Sequence, residues 1–322
     1  MSLIIKNEGN ICLESKQTIR LDPKENVAST AGDIYLFTHL STDLLQILAD
    51  KRRKNLVYLP QMLLKQLQKL VQAGFIRPLN FRKIKCYPYN YPVQIADLWV
   101  TAFPSDDGLN GAVSLLLEHE GKAVGYTGRF ITRGAHKKRI KKWKKAFQTA
   151  KLDLLLLDSA ALQTSEVFVS NTKKFKRFLA NLSTTDLPAL KLSELAPEEI
   201  LEYQEIAKQA GRTLLLAPDL AILAKLLFPF DDFTAATPTN LKLAVEKPEK
   251  FIIQAGIAKQ DTIIYNKDSI KDIDVIAADQ SESELKEVVH VIAPTQCLSY
   301  GEKTLEAIEP LTKTVSFSEE RV

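Results

Sequence analysis

The chain has 322 residues, 45% of them hydrophobic and 25% charged, enough apolar material for one large core or two smaller ones, which excludes a disordered chain or a fibre. No apolar run reaches the roughly 18 residues of a membrane helix, and Cys12, Cys86 and Cys297 stand too far apart for a disulfide frame or a thiolate zinc site. The N-terminus lacks the apolar stretch of a secretory signal, so the expected compartment is the cytoplasm with no membrane association.

Short strands are expected at 10–15, 17–21 and 33–37, with Asp22-Pro23 closing the second. A helix over 44–50 ends in the basic cluster Lys51 to Lys54, and a strand over 55–59 leads into a helix opened by Pro60 and ended by Gly74. Tyr87, Tyr89 and Tyr91 alternate along an extended segment, which predicts that they share one side. Strands follow at 93–96, 98–103, 112–118, 123–127 and 152–157. His119 stands at a hairpin end, where a surface position is expected.

Between Arg129 and Lys151 there are ten Lys or Arg residues and no Asp or Glu. In their midst Ile140, Trp143 and Phe147 recur at i, i+3 and i+7, the signature of a helix pinned by one apolar stripe. Lys137, Lys138, Arg139, Lys141, Lys142, Lys144 and Lys145 surround that stripe and are the candidate RNA-binding residues, because a dense row of cations displaces counterions from a polyanion. Its plainer alternative is a solvated outer helix.

After about 160 the rhythm changes to closely alternating strands and helices: strands at 166–169, 213–217, 251–255 and 273–277, and helices at 173–182, 197–210, 220–227 and 283–290. His290, in the apolar run Val288 to Ile292, is expected to be half-buried.

Several anchors then recur in a fixed order: Asp22-Pro23, Thr38-His39-x-Ser41-x-Asp43-Leu44, Asp106-Asp-Gly-Leu-Asn-Gly-Ala112, Tyr126-Thr-Gly-Arg-Phe130 and Leu154-Leu-Leu-Leu-Asp-Ser159. Ala277-Ala-Asp-Gln-Ser-Glu-Ser-Glu-Leu285 and Pro294 to Glu302 complete the series. Together they resemble the motifs of metallo-β-lactamase-fold proteins of the β-CASP group, similar to ribonuclease J-type RNA-processing nucleases. The resemblance implies an α/β fold: a metallo-β-lactamase αββα sandwich over 1–160 and 276–322, with a small β-CASP-like α/β insert over 161–275.

Family members hold two zinc ions with about five imidazoles and a bridging carboxylate. The corresponding positions here carry His39, Ser41, Asp43, Leu44, Asp107, Arg129, Asp158, Asp279 and Tyr300, and of the metal-ligand positions only His39 and Asp43 keep the family identity. Arg129 replaces the carboxylate shared by both metals, and a guanidinium repels divalent cations. The expectation is therefore no metal cofactor. If any ion binds, His39, Asp43, Asp107 and Asp279 would hold it, and Mg or Mn would suit those oxygens better than Zn. A further expectation is an ion pair from Arg129 to Asp43 or Asp107.

The expected function is that of a catalytically inactive or strongly divergent relative that binds RNA or an active nuclease partner, or self-associates. Two alternatives stand beside it: a divergent nuclease or phosphodiesterase with a rebuilt carboxylate-rich single-metal site, and a structural assembly partner with no nucleic-acid role.

Overall fold

A computed structural model of the chain describes residues 3–7, 11–26, 30–107, 109, 111–132, 136–159, 176, 179–181, 186–192, 194, 197–257, 270–273, 282–300, 305, 308–312 and 314–317. The protein is α/β with mixed sheets, and it divides into two compact units, 1–67 with 77–167 and 277–322, and 68–76 with 168–276.

The first unit contains two sheets. One has seven strands: β1 (Leu3–Asn7), β2 (Ile11–Glu14), β3 (Thr18–Leu21), β4 (Ile34–Leu36), β5 (Leu56–Pro60), β6 (Ile84–Tyr87) and β18 (Val315–Phe317), in the order β18-β1-β2-β3-β4-β5-β6. Strands β3 to β6 run parallel, which requires crossover connections, and α1 (Thr42–Ala49) and α2 (Gln61–Gln72) supply two of them. The other sheet has six strands: β7 (Pro92–Ile95), β8 (Leu98–Pro104), β9 (Val113–His119), β10 (Lys122–Tyr126), β11 (Leu154–Asp158) and β17 (Gln296–Tyr300), in the order β17-β11-β10-β9-β8-β7.

Strand alternation sorts the leucines of the second sheet into two layers. Leu115, Leu117, Leu154 and Leu156 meet Leu13, Ile19, Leu21 and Leu36 of the first sheet in one core. Leu116, Leu155 and Leu157 face the other way, against Ile140, Trp143 and Phe147 of α3 (Lys137–Ala150) and Leu285, Val288 and Ile292 of α7 (Glu282–Ile292). The three residues of the predicted apolar stripe are thus the buried face of α3. Each contributes roughly 1.5–3 kcal/mol of burial, which fixes the helix on the sheet and turns its lysines outward.

The second unit is a parallel five-stranded sheet, ordered β14-β13-β15-β12-β16, from β12 (Leu187–Leu190), β13 (Thr213–Leu216), β14 (Thr234–Ala235), β15 (Phe251–Gln254) and β16 (Ile270–Ile273). Helices α4 (Pro197–Gln209) and α5 (Pro218–Leu227) pack on one face of this sheet, through Ile200, Tyr203, Leu220 and Leu223 against Leu214, Leu216 and Ile252. On the other face α6 (Pro238–Glu246) places Leu241 and Ala244 against Leu215 and Ile253. Among the described residues no helix is long and apolar enough to cross a membrane.

Several expectations need correction. Strands β1, β6, β12, β14, β16 and β18 and helix α6 are additional elements, and the strand expected at 273–277 lies, but for Ile273, outside the described residues. The strand expected at 166–169, and most of the helix at 173–182, lie outside the described residues. The three tyrosines do not share a side: Tyr87 is buried in the core and Tyr91 is 71% exposed, because Asn90 adopts a left-handed φ of 59° that breaks the alternation. His119 does end its strand but is 5% exposed, its Nδ1 3.2 Å from the Asp97 carbonyl. His290 is exposed rather than half-buried.

Candidate functional site

The residues singled out by the broken motif stand where the two sheets end side by side. Asp22 follows β3, Thr38 and His39 follow β4, Asp107 follows β8, Thr127 to Arg129 follow β10, Asp158 closes β11 and Tyr300 closes β17. Backbone bonds tie these ends together. The Val113 N–H donates to the Thr38 carbonyl at 2.8 Å, joining the second sheet to the first. Gly128 sits at that seam with φ 56°, and a Cβ there would lie 2.6 Å from Thr38 Oγ1 and 2.8 Å from the Val113 carbonyl oxygen. Only glycine fits, which gives the Tyr-Thr-Gly sequence a steric reason.

Asp22 is the hub of one corner. Its left-handed φ of 41° swings the carboxylate under Thr38, and short polar side chains tolerate that conformation better than most. The carboxylate accepts from the Thr38 N–H at 2.7 Å, the Thr38 hydroxyl at 2.5 Å and the Tyr126 hydroxyl at 3.0 Å, and His39 Nδ1 lies 3.6 Å away. Burial pushes the Asp22 pKa up, but the charge on His39 and the bonds from His39 and Thr38 outweigh it and hold the carboxyl below its usual range. For His39, burial alone would lower the pKa. Asp22 first, then Asp107 and Asp158, outweigh that and raise it above the usual imidazole value.

The opposite corner is less settled. Asp107 is 2% exposed; Oδ1 accepts from the Leu109 N–H at 3.0 Å, while Oδ2 has no hydrogen-bond partner. Burial raises its pKa to about 6, with His39 and Arg129 pulling the other way and Asp106 adding to the rise. Nearby Asp106 is fully used, with Oδ2 accepting from the His136 N–H at 2.7 Å and its carbonyl from the Ile131 N–H at 2.7 Å. Among the described residues two further buried hydroxyls around the strand ends lack partners, those of Ser105 and Ser159. Tyr300 stacks on Tyr126 with ring centroids 4.9 Å apart, and burial, then Asp158 and Asp22, raise its pKa well above the usual value.

The other motif positions have taken structural work. Ser41 is the N-cap of α1, with its hydroxyl accepting from the Leu44 N–H at 3.1 Å, and Leu44 is fully buried. Asp43 lies in the first turn of α1, where a negative charge suits the helix dipole, and it accepts from the Glu25 N–H at 3.0 Å. The expected ion pair does not form: Arg129 is half-buried and lowers the Asp107 pKa through space, but it pairs with neither Asp43 nor Asp107. Asp158 is buried, its N–H donating to Thr127 Oγ1 at 3.1 Å. Asp279 lies outside the described residues.

This donor set does not fit a two-metal centre. Leu44 offers no ligand, Ser41 is engaged as a cap and Arg129 is a cation, and among the described residues no three His, Cys, Asp or Glu side chains are grouped to hold an ion. The central role of Asp22, three bonds and a histidine, was not evident beforehand. Its available signal was the Asp-Pro pair directly after an apolar strand.

Of the basic residues, Lys137, Lys138, Lys141, Lys142 and Lys145 are exposed on α3, and Arg139 and Lys144 are partly so. A shallow groove of about 220 Å³ between α3 and α7 is lined by Lys137, Lys141 and Lys144 on one side and Glu284 and Glu287 on the other. In the cluster at 51–54, Arg53 is turned inward to the carbonyls of Asn55, Asn80 and Arg82, so it is not available to a phosphate.

No protein-family model and no curated protein matches the chain. Among solved structures it is similar to the crystal structure of a protein of unknown function from Enterococcus faecalis V583, with a TM-score of 0.71 and 12% identity over 98% of this chain and 100% of that one. That likeness establishes a shared fold.

Proposed function

We propose that the protein is a catalytically silent relative of the metallo-β-lactamase-fold, β-CASP-type RNA nucleases, and that it acts by binding RNA through the basic helix α3. The observation that carries the reading is the reassignment of the motif positions. Ser41 caps a helix, Leu44 fills the core, Asp43 holds the Glu25 amide, and Asp22 and His39 neutralise each other where metals would otherwise supply the positive charge. Helix α3 supports the binding half of the proposal, since its apolar stripe is fully used in packing and its cations are left facing water. Binding to RNA should follow the salt law of counterion release, log K falling with log salt by about 0.7 per phosphate neutralised on a single strand. Reversing Lys141, Lys142, Lys144 and Lys145 to Glu should weaken binding and flatten that slope in a filter-binding titration; unchanged affinity and slope would remove α3 from the account.

A second reading, a metal-free acid–base hydrolase, draws on one specific observation. Asp107 combines a pKa of about 6 with an oxygen that has no partner, and it lies within electrostatic reach of His39. Cleavage of RNA or a phosphodiester by metal-free protein, abolished in Asp107→Asn, would favour it over silence.

A further inference from the structure

The alternation of β8 sets an aromatic side chain on the same face of the sheet as the basic helix. Leu98, Val100 and Ala102 point into the core between the sheets, so Trp99, Thr101 and Phe103 point outward. Phe103 is covered by α3, its ring meeting Phe147 edge-on at 6.2 Å. Trp99, two pleats earlier and about 13 Å along the strand by ordinary rise, is left 48% exposed. Its cross-strand neighbours are Gln94 and Glu118, both with hydrogen-bonding ends.

Helix α3 runs back along β8 towards this indole. The amide of His136, just before the helix, bonds Asp106 beyond the end of β8, and Phe147 near the other end reaches Phe103 within it. The two flanks of α3 differ in electrostatics. Lys137, Lys141 and Lys144 look towards Glu284 and Glu287 of α7, which compensate them. Helix α7 leads into β17 at the far edge of the sheet, so the opposite flank of α3 is the one nearer β8 and β7. At 100° per residue Lys138, Lys142 and Lys145, all exposed, form the outer ridge of α3 opposite its apolar stripe, between the two flanks.

We infer that Lys138, Lys142 and Lys145 together with Trp99 form a track for single-stranded RNA, with the lysines following phosphates and the indole stacking on a base. This deepens, and rests on, the RNA-binding reading of α3. A duplex keeps its base faces inside its own stack and offers an indole nothing to stack on, whereas a single strand exposes both phosphates and base faces.

The protein has two tryptophans, and Trp143 is fully buried under α3, so quenching of fluorescence on binding reports Trp99. The test titrates the full chain with a short oligouridylate and with the duplex it forms with oligoadenylate, at low and moderate salt. The inference predicts quenching and preferred binding of the single strand. Trp99→Ala should lose about tenfold in affinity with an unchanged salt slope, the size expected for one stacked base, and Trp99→Phe should keep most of the binding. Lys138→Glu, Lys142→Glu and Lys145→Glu combined should flatten the slope. Equal affinity for duplex and single strand, or wild-type binding by Trp99→Ala, would overturn the track while leaving RNA binding by α3 in place. No binding of either form at low salt would instead remove the RNA-binding reading itself.

Discussion

The two corners of the strand-end site are built from the same materials and have come to opposite states. At Asp22 a partly buried carboxylate receives three hydrogen bonds and lies beside the His39 imidazole, so its pKa is held below the usual range. At Asp107 a more deeply buried carboxylate keeps one oxygen without a partner, and its pKa rises to about 6. The difference teaches how local donors decide the state of a carboxylate. Where donors meet it the side chain becomes part of the scaffold, and where they do not its pKa is pushed up.

The comparison breaks most severely at its stable corner. Asp22→Ala leaves the Thr38 amide and hydroxyl, the Tyr126 hydroxyl and a partly buried imidazole without their acceptor, and should cost about 3 kcal/mol in urea unfolding. A loss under about 1 kcal/mol would mean the hub is ornamental.

The pH dependence sharpens the contrast. The folded Asp107 holds its proton to about pH 6 and the unfolded one only to about 3.8, so the folded state binds more protons between those values and stability falls as pH rises through that window. The total is of the order of 3 kcal/mol, at 1.36 kcal/mol per unit. Asp107→Asn should remove this fall and leave the variant more stable than wild type at pH 8, measured as the urea midpoint at pH 4, 6 and 8. The Asp22–His39 pair combines both signs, Asp22 opposite to Asp107 and His39 alike to it. The stabilisation from Asp22 is present above about pH 3.8 and lost as pH falls through its lowered folded value. That from His39 is complete below about pH 6.5 and lost as pH rises through its raised one. An Asp107→Asn variant with the wild-type pH profile would contradict the assignment.

The smallest effect concerns the motif itself. Ser41→Ala removes a helix cap and should cost about 1 kcal/mol without changing RNA binding. A change in RNA affinity there would bring the loop back into function.

Much of the first unit was legible because its signals are local. Short continuous leucine runs marked β9 and β11, and the spacing of Ile140, Trp143 and Phe147 marked the buried face of α3. The edge strand β18 was not, since it pairs residues 315–317 with 3–5 and owes its strand form to that distant partner. In the site, the residues that matter could be named from the motif, but their roles could not. That Asp43 bonds the Glu25 amide rather than Arg129, and that Thr127 and Tyr126 converge on Asp158 and Asp22, follows from how two sheets meet. The exposure of Trp99 was half legible: alternation turns it outward, but only the reach of α3 decides that Phe103 is covered and Trp99 is not.

The central claim, binding without cleavage, is tested most directly by incubating the full-length protein with end-labelled single-stranded RNA, without metal and with added Zn or Mn, and following retention and RNA length together. The account predicts RNA retained at low salt, released as salt rises, and intact throughout. RNA shortened by wild-type protein but left intact by His39→Ala or Asp107→Asn would contradict it and make the strand-end site an active one.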